Sequence, residues 1–303
     1  MTGIGIGIVF LTGWLLLLRT GEAPDPSPAP VPQMTATDRL PQRVQAVDLS
    51  GPFSFAGEEI PVDQHDVRER LDRELLRNAY FHRNTLLMLK RMPRFFPTIE
   101  RILAEEGLPD DLKYIAVAES GLSNATSVAG AKGYWQFMKP TATAFDLEVN
   151  GEVDERYHLE KATRAACAYL RDYHEAFGDW RWVAAAYNMG GPNVRKWRDR
   201  QRAETVFDLD INAETMAYLF RIVALKTILE DPARFGYELD PADAYPPLDD
   251  YKTLTVSKSI ANLGDFARDN GTTYRELKVY NPWLTSGSLT ISKGNSYEIR
   301  IPE

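Results

Sequence analysis

The spacing of apolar residues predicts that the middle of the chain is helical. Apolar positions recur every three or four residues over 67–92, 155–177 and 214–229, which is the period of an α-helix with one apolar face. Pro93 is expected to interrupt the first of these helices. Shorter helices are predicted at 96–106, 110–119, 141–145, 180–188 and 192–200. Since no alternating strand pattern breaks this block, residues 61–236 are predicted to form one all-α domain.

The carboxyl end has a different pattern. Residues 251–256 and 296–301 alternate like strands, and two helical segments lie between them at 260–269 and 274–280. This predicts a small βααβ module at 250–303. A core of that size is marginal by itself, so we expect the module to pack against the helical domain. The fold class predicted for the chain is therefore mainly α.

The amino end predicts export rather than a folded domain. Residues 4–18 are apolar and uncharged, which suits the core of a signal peptide or a short membrane anchor within 1–20. Residues 21–60 are predicted to be a linker, because the alternating prolines at 24–32 favour an extended spacer. Either interpretation puts the bulk of the chain outside the cytoplasm, with 4–18 as a candidate membrane tether.

Charge and composition exclude several classes of partner. The formal net charge of -8 argues against nucleic acid as a ligand. The four histidines and the single cysteine are scattered, so no metal site and no cofactor are expected. Cys167 lies in an apolar helical segment, which predicts a buried and unreactive thiol.

Candidate chemistry begins at Glu119, an acid that ends an apolar helical run. Burial raises the pKa of a carboxyl group, and a raised pKa suits a group that must carry a proton near neutral pH. Two further stretches mix apolar residues with isolated polar side chains: 133–138 (Gly-Tyr-Trp-Gln-Phe-Met) and 186–190 (Ala-Tyr-Asn-Met-Gly). Each stretch also has a purely structural interpretation, as a helix cap, a loop support or a helix end.

These three stretches carry a resemblance. Glu-Ser, Gly-x-x-Gln-x-Met and Ala-Tyr-Asn-x-Gly, in this order, resemble the catalytic domain of the soluble-lytic-transglycosylase type, which is related to goose-type lysozyme. Residues 107–114 resemble the D-type membrane-bound lytic murein transglycosylases. The final module resembles a degenerate LysM domain, in which residues 257–261 replace the usual Gly-Asp-Thr-Leu stretch.

The resemblance implies a lysozyme-like fold and a peptidoglycan glycan strand as partner. It implies a lyase that cleaves the β-1,4 bond between N-acetylmuramic acid and N-acetylglucosamine and forms a 1,6-anhydro ring. Glu119 would act first as acid and then as base. Two alternatives stay open: a lysozyme-like muramidase, which hydrolyses the same bond, and a non-catalytic peptidoglycan-binding protein.

The resemblance also assigns roles to other residues. Tyr187 would hydrogen-bond Glu119, while Gln136 and Asn188 would contact the N-acetyl groups of the sugars. Ser127 would lie near the muramic acetamido group, Met138 would shape the cleft floor, and Tyr218 would lie near the cleft. No second catalytic acid stands out between Glu119 and Gly190, where four acids lie in a polar stretch and are expected to be solvated: Asp146, Glu148, Asp154 and Glu155.

Overall fold

The helical domain is arranged around one buried helix, α8. The computed structural model describes residues 45–303, and in it α8 (Ala213–Glu230) packs against α1 (His65–Ala79), α3 (Lys113–Ser120) and α6 (Trp180–Met189). The sequence pattern predicted an ordinary amphipathic helix here. Instead, buried side chains occur on every side of α8, as expected for a helix in the middle of a domain.

The other helices of this domain enclose the central one. The break predicted at Pro93 is wrong: Pro93 and Pro97 both lie inside one long helix, and the chain turns earlier, at Tyr80–Phe81. Both prolines lie on the exposed face of this helix. The remaining helices are α2 (His82–Glu105), α4 (Lys139–Ala144), α5 (Leu159–Phe177) and α7 (Gly191–Gln201).

A short hairpin precedes the first helix. Strands β1 (Ser54–Phe55) and β2 (Glu58–Glu59) pair antiparallel. The sequence pattern assigned these residues to the linker at 21–60, yet Phe55 and Ile60 are buried in the main hydrophobic core. The hairpin therefore packs into the same hydrophobic core as the helices.

The carboxyl end has the predicted βααβ order. Strand β3 (Tyr251–Val256) pairs antiparallel with β4 (Tyr297–Pro302), and helices α9 (Leu263–Asp269) and α10 (Tyr274–Tyr280) lie between them in sequence. This module has its own apolar core, and one residue of that core, Val153, comes from the helical domain.

Residues 46–303 cluster as one compact unit. None of the helices formed by residues 45–303 has the length and apolarity needed to span a membrane. The predicted export segment at 1–20 and most of the predicted linker lie outside the described residues. The domain limits at 61–236 and 250–303 stay predictions.

Candidate active site

Glu119 lies on the last turn of α3, whose preceding residues 113–117 are all buried. The helix ends just after it, because Gly121 adopts a left-handed conformation with φ of 57°. Ser123 closes the following turn by donating a hydrogen bond to the carbonyl of Ser120 at 2.7 Å. The carboxyl group is thereby held at the edge of the core, partly exposed to solvent.

Tyr218 is the hydrogen-bond partner of Glu119. Its hydroxyl donates to Oε1 of Glu119 at 2.5 Å, and the tyrosine itself is only 2% exposed. Burial raises the pKa of Glu119 to about 7, although the Tyr218 hydrogen bond and the charge of Arg221 lower it. The carboxyl group is therefore divided between its protonated and ionised forms near neutral pH.

Arg221 supplies the positive charge nearest to this pair, and the sequence analysis missed it. It forms ion pairs with Glu214 at 2.8 Å and with the buried Glu74 of α1 at 3.5 Å. Arg221 follows Tyr218 by three residues on α8, which puts both on one helix face. That spacing is the signal that could have identified it.

The predicted hydrogen bond between Tyr187 and Glu119 is wrong. The hydroxyl of Tyr187 instead donates to the carbonyl of Trp135 at 2.6 Å. Burial raises the pKa of Tyr187, and the charge of Glu119 raises it further, so the two side chains are electrostatic neighbours without a hydrogen bond. Tyr187 thus connects α6 to the segment 133–138.

Gln136 supports the loop formed by residues 125–136. It has a positive φ of 50°, and its amide nitrogen donates to the carbonyls of Ala125 at 3.1 Å and Gly133 at 2.7 Å. Both amide hydrogens are thereby used within the protein. Among residues 45–303 the amide oxygen of Gln136 has no hydrogen-bond partner, so this oxygen is the atom left for a ligand.

Asn188 occupies the end of α6 and faces the start of α8. Its Oδ1 accepts a hydrogen bond from the hydroxyl of Thr215 at 2.7 Å. Thr215 also donates its backbone N–H to Asn212, the residue that caps α8. The amide nitrogen of Asn188 has no partner in the described part of the chain, so it can donate to a ligand carbonyl. Thr215 was not predicted from sequence.

Ser127 and Met138 flank the same loop. The hydroxyl oxygen of Ser127 accepts a hydrogen bond from the backbone N–H of Ala131 at 3.0 Å, which leaves its own proton free to donate. Met138 is 44% exposed, whereas the preceding Phe137 is buried in the core. Of this pair only Met138 is available to a bound ligand.

Two of the four acids predicted to be solvated are buried. Asp154 accepts two hydrogen bonds from the guanidinium group of Arg156, at 2.8 and 2.7 Å. Glu155 accepts hydrogen bonds from the backbone N–H of Glu148 at 2.8 Å and from the ammonium group of Lys161. These are paired structural carboxylates. The same segment also touches the candidate site, because a Cβ atom on Gly133 would lie 1.8 Å from the carbonyl oxygen of Arg156.

No cluster of histidine, cysteine, aspartate and glutamate suited to a metal ion occurs within residues 45–303. Cys167 is buried, and burial raises the pKa of its thiol to about 12.

Comparison with known proteins defines the class of the chain. Residues 97–208 match the transglycosylase SLT domain, and residues 252–303 match the soluble lytic transglycosylase C-terminal LysM-like domain. The chain therefore contains an SLT transglycosylase domain followed by a LysM-like domain. Glu119, Ser127, Gln136, Met138, Tyr187 and Asn188 all lie within the first match, whereas Tyr218 lies beyond it.

Particular relatives extend the similarity over most of the chain. It is homologous to membrane-bound lytic murein transglycosylase D of Escherichia coli K12, with 27% identity over 260 residues, which is 83% of this chain and 55% of that protein. The same protein of E. coli O6:H1 matches to the same extent. The chain thus spans about half the length of these relatives.

Two solved structures of lytic transglycosylases are also similar to parts of this chain. One is an inactive mutant of the lytic transglycosylase Slt from Pseudomonas aeruginosa, with 24% identity and a TM-score of 0.37 over 49% of this chain and 26% of that one. The other is the 70 kDa soluble lytic transglycosylase of Escherichia coli, with 20% identity and a TM-score of 0.41 over 52% of this chain and 30% of that one.

Proposed function

We propose that this protein is a peptidoglycan lytic transglycosylase in which Glu119 is the catalytic acid and base. The observation that carries the proposal is the environment of Glu119. It is partly exposed, its pKa is raised to about 7, and Tyr218 is its one hydrogen-bond partner among residues 45–303. A carboxyl group of this kind can give up a proton and take one back at neutral pH.

The first proposed step breaks the glycosidic bond. Protonated Glu119 donates its proton to the oxygen between N-acetylmuramic acid and N-acetylglucosamine, and the bond from C1 to that oxygen breaks. In the second step the Glu119 carboxylate takes the proton of the C6 hydroxyl as that oxygen attacks C1. The muramic residue supplies its own nucleophile, so the 1,6-anhydro ring closes without water and Glu119 ends the cycle protonated.

Two opposing influences suit Glu119 to both steps. Burial favours the protonated acid that the first step needs. The Tyr218 hydroxyl and the charge of Arg221 favour the carboxylate that the second step needs. Tyr218 is therefore proposed to orient Glu119, in place of the role that the resemblance gave to Tyr187. Tyr187 would instead hold the carbonyl of Trp135 and, with it, the segment 133–138.

The free polar atoms of the site fit the N-acetyl groups of the sugars. The amide nitrogen of Asn188 would donate to an acetamido carbonyl, and the amide oxygen of Gln136 would accept from an acetamido N–H. Ser127 would donate its hydroxyl proton near the muramic acetamido group. Met138 would contact the sugar with its exposed thioether.

The muramidase alternative is less favoured by the electrostatics of the site. Most glycosidases that use water or a covalent intermediate employ a second carboxylate. In the described part of the chain, Glu214 is the one carboxylate whose charge acts on the pKa of Glu119. Glu214 is 61% exposed and is paired with Arg221, so it is poorly placed as a nucleophile or base. The names of the relatives also support a lytic transglycosylase.

A location in the cell envelope is proposed on the same basis. The relative in Escherichia coli is named a membrane-bound enzyme, and the LysM-like domain accompanies an SLT domain in soluble lytic transglycosylases. Export through residues 1–20, and a membrane tether through residues 4–18, rest on the sequence pattern alone.

Product analysis tests the proposed function. The protein is incubated with purified peptidoglycan sacculi, and the soluble products are identified by mass spectrometry. We expect 1,6-anhydromuramic ends. We also expect Glu119→Gln to release products at least about a thousandfold more slowly, because it cannot transfer a proton. Glu175→Gln, an exposed change on α5, serves as the control and should act like the parent.

Reducing muramic ends without the anhydro product would identify a muramidase and overturn the lyase assignment. Equal release by the parent and Glu119→Gln would overturn the catalytic assignment. No release by the folded parent would favour the non-catalytic binding protein.

A further inference from the structure

A groove lies between the helical domain and the LysM-like module, and Glu119 is not among its lining residues. It encloses a volume of about 160 Å³. A cavity of roughly 150 Å³ holds a molecule as large as a benzene ring, so this groove has room for one six-membered ring. Aromatic side chains line both of its walls: Phe95, Tyr134 and Tyr157 from the helical domain, and Tyr251, Tyr280 and Trp283 from the module.

The two walls are locked together. Glu152 accepts hydrogen bonds from the hydroxyl of Ser288 at 2.6 Å and from the backbone N–H of Thr290 at 2.7 Å. The neighbouring Val153 is buried in the core of the module, and Asp154 donates its N–H to the carbonyl of Trp283 at 2.9 Å. The groove is therefore preformed, and a ligand does not have to order its walls on binding.

The charges of the groove nearly cancel. Two arginines, Arg94 and Arg300, face three carboxylates along the lining. Arg300 forms an ion pair with Glu160 and lies over the ring of Tyr251 at 4.7 Å, and Arg94 donates to a backbone carbonyl of the connecting segment at 2.7 Å. Without a strong net field, the groove does not select for a polyanion or a polycation. It suits a neutral ligand.

Aromatic faces beside fixed polar groups suit one neutral chemistry in particular. A pyranose ring presents apolar C–H faces that can lie on an aromatic side chain, while its hydroxyl and amide groups point outward to hydrogen-bonding partners. We propose that this groove is a second saccharide site, separate from the Glu119 cleft, that holds one N-acetylhexosamine unit of a glycan.

The position of the groove relates it to the cleft, and this part of the inference rests on the proposed function. Arg91 of α2 donates to the carbonyl of Gly121, directly after the helix that carries Glu119, and Arg94 lines the groove three residues later. Tyr134 in the groove precedes Trp135, whose carbonyl accepts the hydrogen bond from Tyr187. The second site would therefore hold peptidoglycan glycan close to the bond that is cleaved.

The test uses the full chain carrying Glu119→Gln, so that binding is measured without turnover. This protein is titrated with a β-1,4-linked tetramer of N-acetylglucosamine by isothermal titration calorimetry. We expect two binding events per chain. Adding Tyr280→Ala should weaken one of them at least about tenfold, because the aromatic platform on α10 is lost.

Tyr274→Ala is the matched control. Tyr274 lies on the same helix and is 44% exposed, and it does not line the groove, so both binding events should persist. Arg94→Gln changes the opposite wall and should weaken the same event as Tyr280→Ala. This second variant decides the outcome if Tyr280→Ala lowers the thermal unfolding midpoint.

The groove site is wrong if Tyr280→Ala and Arg94→Gln both titrate like the Glu119→Gln parent. This outcome is distinct from failure of the proposed function. The titration requires no catalysis, and the identity of the product is read in the protein with Glu119 intact. An anhydro product together with unchanged binding would retain the lyase and remove the groove site. A hydrolytic product together with lost binding would remove the lyase assignment and retain the groove site.

Discussion

Glu119 and Glu160 are two partly buried glutamates with opposite behaviour. Burial raises the pKa of both, and at Glu119 it prevails, because the hydrogen-bond partner is the neutral hydroxyl of Tyr218. At Glu160 the contacts with His158 and Arg300 outweigh burial and lower the pKa to about 2. The charge of the partner therefore decides whether a partly buried glutamate can exchange a proton or serves as a fixed anion.

The position of each glutamate along its helix acts in the same direction as the net shift of its pKa. Glu160 lies in the first turn of α5, where the positive end of the helix dipole favours a carboxylate. Glu119 lies in the last turn of α3, where the negative end disfavours one. A glutamate at the end of an apolar helix is thus predisposed to hold its proton even before its neighbours are considered.

The largest expected effect concerns stability at Glu119. Its pKa is raised from the ordinary 4.5 to about 7, so its ionisation opposes folding as the pH rises between these values. Compared with the parent, Glu119→Gln should gain stability over this interval, by up to about 3 kcal/mol above pH 7. Urea unfolding at a series of pH values measures the difference.

The exposed substitution Glu175→Gln should show no such trend. A stability difference between Glu119→Gln and the parent that stays constant from pH 4.5 to pH 7 would contradict the raised pKa.

A smaller effect is expected at Glu160. Arg300→Leu leaves this carboxylate without its cationic partner and should destabilise the protein by about 2 kcal/mol at neutral pH. Because the pKa of Glu160 is lowered, its stabilising contribution is present above pH 4.5 and is lost as the pH falls towards about 2. The cost of Arg300→Leu should therefore shrink over that range in urea unfolding.

Arg268→Leu provides a comparison within the same module. Arg268 is 75% exposed and pairs with the exposed Asp265, so its loss should cost no more than about 0.5 kcal/mol. Equal costs for Arg300→Leu and Arg268→Leu would show that the partly buried ion pair between Arg300 and Glu160 adds no stability beyond that of an exposed pair.

The smallest effect distinguishes the two tyrosines near Glu119. Tyr218→Phe removes a hydrogen bond to the carboxylate, so the pKa of Glu119 should rise above about 7. The limb of the pH profile of kcat/KM that reports Glu119 should move upward by about one pH unit. Tyr187→Phe should leave that limb in place, since Tyr187 bonds the carbonyl of Trp135. The reverse result would restore the role first assigned to Tyr187.

Sequence reasoning succeeded where a residue's position along its own helix was sufficient. The apolar run before Glu119 correctly indicated a buried helix that ends at an acid. It did not show which tyrosine reaches that acid, because Tyr187 and Tyr218 lie on two different helices, α6 and α8, that are distant from α3 in sequence. Their orientation depends on the rotation of α6 and α8 in the folded domain, which no local pattern encodes.

Other features were missed because their signals are too short or too distant. The strands of the hairpin, such as Ser54–Phe55, have two residues each, which is too short to show an alternation of apolar and polar positions. Glu74 and Arg221 meet across 147 positions of sequence, from α1 to α8. The helix-breaking effect of Pro93 was overestimated, because a proline on the exposed face of a long helix can be tolerated within it.

Val153 determines how far the LysM-like module can be treated as a transferable part. A buried valine contributes about 1.5 kcal/mol or more to a core, and this one is supplied from outside the module. A fragment that begins at residue 250 would lack Val153, and its apolar core would contain a cavity in place of that side chain. Grafting the module onto another protein would therefore require the Glu152–Val153 loop to be carried along as well, so the structural unit is larger than the matched segment 252–303.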